Sequence, residues 1–360
     1  MKKQLSIAAS LLAAAVLYLL AWPVPIEPVS WQAPENKGLV DPFEINDRLQ
    51  VARGISIEPF HGPEDATVGV DGRIYATTES GRVIQIQNRR VREFSNPGGR
   101  PLGIETDQDG SLVVANAYVG LQRIDRDGNV TLLLGEIDGE ALYDANSLAI
   151  AKDGSVFFSV SSTRFRALDY EGTYGASVLD IMEHGGNGRL YVFDPGSGAV
   201  RLLLDGLNYA NGVALSEDES FVLVSETGHY RVLKYWLRGE RAGSSAVLLE
   251  NLPGFPDNLK SGATGRFWLG LVAPRNDLLD RLSDRPLLRK IIQRLPAFVR
   301  PKAVPASHII AFDGNGVVLE NLHDPSARFP MLTGVLETSR ALYLTTLLGN
   351  QLPRIDKRDL

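Results

Sequence analysis

The sequence predicts an all-β chain closed into a six-bladed β-propeller, preceded by a membrane-anchor helix and interrupted by a helical insertion. Three observations lead there. One turn-and-strand unit recurs six times, a second landmark precedes five of the units at the same phase, and turn residues rather than helical periodicity separate them.

At the N-terminus, Lys2 and Lys3 precede an uncharged apolar run from Leu5 to Trp22, ended by Pro23 and Pro25. That is close to the minimum length for a membrane-spanning helix, so residues 1–22 read as a signal anchor. Cleavage after Ala13-Ala14-Ala15 would leave Leu17, Leu19, Leu20 and Trp22 exposed on the mature end, which favours retention. The two lysines hold their end in the cytoplasm, placing a single-pass protein's main domain on the periplasmic, lumenal or extracellular side. Proline-rich residues 23–50 read as a stalk, and residues 51–360 as the propeller.

Within the propeller, Arg73-Ile74-Tyr75-Ala76-Thr77 follows Asp71-Gly72, Ser111-Leu112-Val113-Val114-Ala115 follows Asp109-Gly110, and Ser155-Val156-Phe157-Phe158-Ser159 follows Asp153-Gly154. The pattern returns without Asp-Gly at 220–224, 266–270 and 341–345. The first spacings, 38 residues from Asp71 to Asp109 and 44 from Asp109 to Asp153, suit a blade of four strands. Longer later gaps require insertions at 164–188 and at about 274–305, the latter with leucines and isoleucines at roughly helical spacing. A closed ring leaves no long sheet edge unpaired.

The second landmark occurs as Gly62-Pro63-Glu64-Asp65-Ala66, Arg100-Pro101-Leu102-Gly103-Ile104, Asp144-Ala145-Asn146-Ser147-Leu148, Tyr209-Ala210-Asn211-Gly212-Val213 and Gly254-Phe255-Pro256-Asp257-Asn258-Leu259. In a propeller, equivalent positions converge on the central channel. Glu64, Asn146, Asn211 and Asp257, with Asn258 as a fifth donor, then form a set of hard oxygen ligands suited to Ca²⁺ or another divalent cation. Singly, each is ordinary turn chemistry; recurrence at one phase sets them apart.

Composition narrows the chemistry. A formal charge of −6, from 37 Lys+Arg against 43 Asp+Glu, gives no reason to expect nucleic-acid binding. With no cysteine among 360 residues, disulfides, thiolate metal sites and cysteine nucleophiles are excluded.

The stretches 62–66, 100–103, 204–216, 225–231 and 251–258 resemble the strictosidine-synthase-like proteins, and among them the adipocyte plasma-membrane-associated group. The resemblance covers about residues 30–360 and implies a propeller related to paraoxonases and gluconolactonases, with a divalent cation held at positions matching Glu64, Asn146, Asn211 and Asp257. Departures from the pattern matter as much. Thr333 stands where strictosidine synthase has its acid/base glutamate, so alkaloid condensation is not expected, and Glu337 is a different position. Leu102 stands where paraoxonases have a catalytic histidine. Ser147 replaces an aspartate of their second calcium site, so one ion is expected.

The histidines His61, His184, His229, His308 and His323 and the aromatic Tyr118 receive no catalytic role, packing being the simpler reading. The 274–305 insertion carries Arg281, Arg285, Arg289, Lys290, Arg294, Arg300 and Lys302, a basic amphipathic segment that would lie on anionic headgroups, roof the channel, or pack with a solvated face. Asn129-Val130-Thr131 is a glycosylation sequon. The expected function is metal-dependent hydrolysis of an ester or lactone, with Asp257 as base or nucleophile; the alternative is a binding platform with a structural ion.

Overall fold

The computed structural model describes residues 2–360. Local sequence sets the turns first. Asp71 Oδ1 accepts the Arg73 amide at 3.0 Å, while Asp109 and Asp153 accept those of Ser111 and Ser155, each at 2.9 Å. The glycine of each pair takes a positive φ, 74° at Gly72, 84° at Gly110 and 87° at Gly154, which other residues adopt only with strain. The β-branched and aromatic residues that follow then enter a strand.

Among the described residues these units build six four-stranded antiparallel sheets. The innermost strands are Pro63–Val68, Pro101–Thr106, Ala145–Ile150, Ala210–Leu215, Gly254–Ser261 and Leu332–Glu337, and they contact one another in ring order. Each recurring strand of the sequence pattern is the second strand of its blade, from Ile74–Thr78 to Ala341–Thr346. The ring closes where Arg53–Ser56 pairs with Gln351–Asp356, setting Ile55 opposite Leu352. The first and last strands of the domain thus share a blade, whose outermost strand is the short Arg53–Ser56, and this pairing locks the ring shut. Apolar residues fill the spaces between blades. Trp268, buried with Ile309, Leu342 and Leu344, sits in one such space, and each fully buried side chain of this kind contributes about 1.5–3 kcal/mol.

Helices lie outside the ring. Helix α1, Lys2–Ala21, buries none of its residues and is apolar and long enough to cross a membrane. Helix α2, Gly172–Glu183, occupies the first insertion; α3, Asp277–Arg281, and α4, Pro286–Arg294, occupy the second.

Residues 23–47 carry neither helix nor strand; the first part, to about residue 36, runs along these insertions, and residues 43–46 lie against the fifth blade, where Asn46 Nδ2 donates to Asn321 O at 3.1 Å. The Val29 amide donates to Glu183 O at 2.8 Å and the Trp31 amide to Ser283 O at 3.1 Å. Part of the basic surface expected on the second insertion points inward. Arg289 is fully buried, donating to the carbonyls of Met182, Glu183, Val29 and Ser283, and Arg294 donates to those of Leu19 and Trp22. Irregular chain leaves peptide carbonyls without sheet partners, and a guanidinium can satisfy several at once.

Candidate functional site

Every innermost strand breaks its ladder at the landmark. Between the pairs Pro63–Thr78 and Ala66–Ala76, two residues oppose one, and the same shift recurs at Pro101/Ile104, Ala145/Leu148, Ala210/Val213, Pro256/Leu259 and Leu332/Gly334. These are β-bulges, which re-aim side chains. The first bulge residue in the first five blades, Glu64, Leu102, Asn146, Asn211 and Asp257, lines one cavity. The residue after it ties its blade to another, to the next one at Asp65 and Ser147 and across to the first blade at Asn258. Asp65 Oδ2 accepts the Ile104 amide at 2.9 Å, Ser147 Oγ the Val213 amide at 3.0 Å, and Asn258 Nδ2 donates to Glu64 O at 2.9 Å. Glycine stands where no side chain fits: a Cβ at Gly103 would lie 2.7 Å from Asn146 O, and at Gly212 2.0 Å from Leu259 N.

Hydroxyls from the preceding blade fix the lining residues by their backbones. Thr77 donates to Leu102 O at 2.7 Å, Ser159 to Asn211 O at 2.5 Å, Ser225 to Asp257 O at 2.6 Å, and Thr333 to Glu64 O at 2.7 Å. Thr333, at the bulge of the sixth blade, is therefore a backbone clamp. Glu337 accepts the Trp268 indole N–H at 2.7 Å and the Ala263 amide at 3.0 Å, a packing role.

The four candidate ligands are each about 95% buried or more. Glu64 Oε2 lies 2.8 Å from Arg100 Nη2; burial raises this carboxyl's pKa and Arg100 opposes the rise. Asp257 is pushed well above the usual carboxylate range, by burial first and then by the neighbouring Glu64 charge, with an amide hydrogen bond from Asn211 partly offsetting. Among the described residues no lysine or arginine is within ion-pair distance of Asp257. Asn146 spends its amide nitrogen on Ser161 Oγ at 2.8 Å and Asn211 directs its own at Thr227 Oγ1 at 3.4 Å. Asn211 Oδ1 is left buried with no hydrogen-bond partner. An orphaned acceptor beside two buried carboxylates is costly as it stands, and a divalent cation is the kind of group that would satisfy it. Among the described residues there is no cluster of three His, Cys, Asp or Glu suited to a metal, so such a site depends on the two amides. Asn258, whose nitrogen is taken by Glu64 O, is not among the cavity-lining residues.

The cavity above has a volume of about 200 Å³. Tyr209 and Phe255 of the propeller, Val178 and Ile181 of α2, and Leu279 and Ile292 of α3 and α4 form apolar walls. The two insertions therefore roof the channel, one of the arrangements the sequence left open. Arg100, on Glu64, and Tyr209, in the cavity wall, are site residues beyond the expected ligand set, and their place inside the recurring landmarks is the sequence signal for them.

None of the histidines lines the cavity. His184 Nε2 and His229 Nε2 are 2.9 Å apart under the stacked Trp31 ring, and His229 Nδ1 is 2.5 Å from Glu226 Oε1. His308 and His323 stack at 3.6 Å beside Phe43, while His61 pairs with Glu79 at 3.4 Å in the open. Tyr118 packs in the cluster around Leu102 and Phe165. Asn129 is exposed, its side chain on Asp125 at 2.8 Å.

Comparison with known proteins adds independent findings. The strictosidine synthase family profile matches residues 146–240, and the strictosidine synthase-like N-terminal profile matches 41–86. The chain is 33% identical over 365 residues to the adipocyte plasma membrane-associated protein of Bos taurus, covering 94% of this chain and 86% of that one. Among solved structures, a gluconolactonase from Xanthomonas campestris superimposes with a TM-score of 0.62 at 17% identity, over 85% of this chain and 89% of that one. Regucalcin from Agrobacterium tumefaciens, described as a calcium-binding protein, does so at 0.58 and 14%, over 84% and 92%. At such identities the two structures speak for the fold alone.

Proposed function

The chain belongs to the strictosidine synthase-like family, and on that premise we propose that it is a calcium-dependent hydrolase of esters or lactones, with its reaction centre at the bulge residues of the channel. The observation that carries the reading is the unsatisfied oxygen set at the end of an apolar cavity: Asn211 Oδ1 without a partner and Asp257 without a cation. Fold relatives described as a gluconolactonase and a calcium-binding protein support it.

Glu64, Asn146, Asn211 and Asp257 would hold the ion, and Asn258 and Thr333 would steady Glu64 through its carbonyl. When bound, a divalent cation polarises a carbonyl oxygen and lowers the pKa of a water ligand. Asp257, ionised when a cation offsets its burial, would be the residue to accept the proton of the attacking water or to attack as a nucleophile. Leu102, in contact with the same cavity, and the apolar roof favour an aryl or acyl group over a sugar acid. The roof also excludes bulk water, which strengthens every charge interaction beneath it. Helix α1 anchors the protein, single-pass, with the propeller on the side away from Lys2 and Lys3, and the basic second insertion lies toward that membrane.

Aryl-ester and lactone turnover, measured before and after exhaustive chelation, tests the reading. Activity should be lost with the metal and return with Ca²⁺. Undiminished turnover after chelation refutes the mechanism, and absence of turnover together with retained ion binding leaves a binding platform.

A further inference from the structure

The roof of the cavity is apolar on its outside as well. Leu287 is 57% exposed, Phe298 83%, Val299 53% and Val304 59%. Tyr174 of α2, itself 48% exposed, adjoins this patch, its hydroxyl 3.4 Å from the Ala303 amide. A cluster of large exposed apolar residues on one short segment is a contact surface rather than scatter.

Its occupant is indicated by what the segment is fastened to. Arg294 Nη1 donates to Leu19 O at 2.9 Å, Arg294 Nε to Trp22 O at 2.5 Å, and Tyr18 Oη to Arg294 O at 3.0 Å. Three hydrogen bonds therefore bolt the last turn of α1 to the end of α4, four residues before Phe298. A bilayer that takes α1 must have this turn at its surface, and the exposed Trp22 is a residue type that settles there. Arg281 and Lys302 are exposed on the same insertion and, among the described residues, have no carboxylate within ion-pair distance. Anionic headgroups would supply one.

We infer that the membrane holding α1 also seats the roof, with Leu287, Phe298, Val299 and Val304 in its interfacial layer, and that the cavity takes its substrate from the lipid side. The link between patch and cavity is direct, because Tyr174, Lys302 and Val304 belong to both. The substrate class follows: an ester or lactone whose acyl or aryl body partitions into lipid. This second part rests on the hydrolase reading, whereas the docking does not.

The absence of cysteine makes the test clean. Full chains carrying Phe298→Cys, Leu287→Cys or, as a control on an outer strand, Leu132→Cys are labelled with a fluorophore and reconstituted into phosphatidylcholine–phosphatidylserine vesicles. Labels at 298 and 287 should be quenched by a nitroxide on the lipid acyl chain and shielded from aqueous iodide, with the reverse at 132. Free iodide quenching and no nitroxide quenching at 298 and 287 overturns the docking. In the triple variant Leu287→Asp, Phe298→Asp, Val299→Asp, kcat/KM for a long-chain ester dissolved in the vesicles should fall about tenfold or more, while a short water-soluble ester is turned over as before. Equal loss on both esters, or loss on neither, overturns the lipid-side route. Absence of turnover of either ester by the wild type would remove the hydrolase reading and the route with it, and the quenching would still decide the docking.

Discussion

Glu64 and Asp65 are adjacent and share one bulge, yet they meet opposite fates. Asp65 turns away from the cavity to Lys260, whose ammonium lies 2.9 Å from Asp65 Oδ2, 2.6 Å from Glu105 Oε1 and 2.8 Å from Ile104 O. Burial pushes the Asp65 carboxyl up to about 6, and Lys260 is the chief group opposing that rise. On the cavity side, Glu64 has Arg100, but Asp257 has no cation and Asn211 Oδ1 has no donor. A buried carboxylate is tolerable when the chain supplies its counter-charge. The difference teaches that the Lys260 side is complete as folded, whereas the Asp257 side keeps a carboxyl without a cation and an acceptor without a donor, the two groups that the proposed ion would satisfy.

Breaking the open side should have the largest effect. Asp257→Ala removes a ligand charge and the proposed base together, so turnover of an aryl ester should drop by about 10²–10⁴-fold and calcorimetric Ca²⁺ binding should disappear. Retention of full activity would return the two sides to the same structural status. Breaking the closed side should instead cost stability. Lys260→Met leaves Asp65 and Glu105 without their cation, and denaturant titration should show a loss of about 3–5 kcal/mol with Ca²⁺ affinity nearly unchanged.

A third group of buried sites, the stacked pair His308 and His323, has neither an ion nor a counter-charge to lose. Burial holds His308 down at about 3 and His323 at about 4, so both are neutral when folded, whereas an unfolded histidine takes its proton near 6.5. Protons then bind preferentially to the unfolded chain. Stability should be full above about pH 6.5 and fall below it, by up to about 1.4 kcal/mol per pH unit per ring, until the folded values are reached. Replacing both by Gln should flatten that part of a melting-temperature profile taken between pH 7 and pH 5. The smallest effect is expected at Asn211. Asn211→Ala deletes one proposed neutral ligand and should weaken Ca²⁺ about tenfold, with activity partly restored by excess Ca²⁺; unchanged affinity would remove Asn211 from the site.

The periodic part of this molecule was readable in its residues. Asp71-Gly72 and its repeats dictate a turn by local hydrogen bonding and positive φ, and the strand that follows needs nothing distant to be recognised. The phase that grouped Glu64, Asn146, Asn211 and Asp257 reflects the bulge, a feature built from two consecutive residues and repeated in each blade. Asn258 shows where phase stops being informative. One residue past Asp257, it looks like a donor in the sequence, and the bulge turns it onto Glu64 O instead.

Sequence by itself therefore determined the elements whose cause is short-range: the apolar helix 2–21, the turns, the strands, and the repeat that closes six of them into a ring. Tertiary structure alone decided the long-range partners. That Lys260 neutralises Asp65 across 195 residues, that Arg289 turns inward to gather carbonyls from three segments, and that residues 29–36 lie along the insertions all depend on which unsatisfied group is nearest once the ring has closed. Burial makes such pairings compulsory, because a polar group removed from water must find a partner in whatever the fold brings beside it.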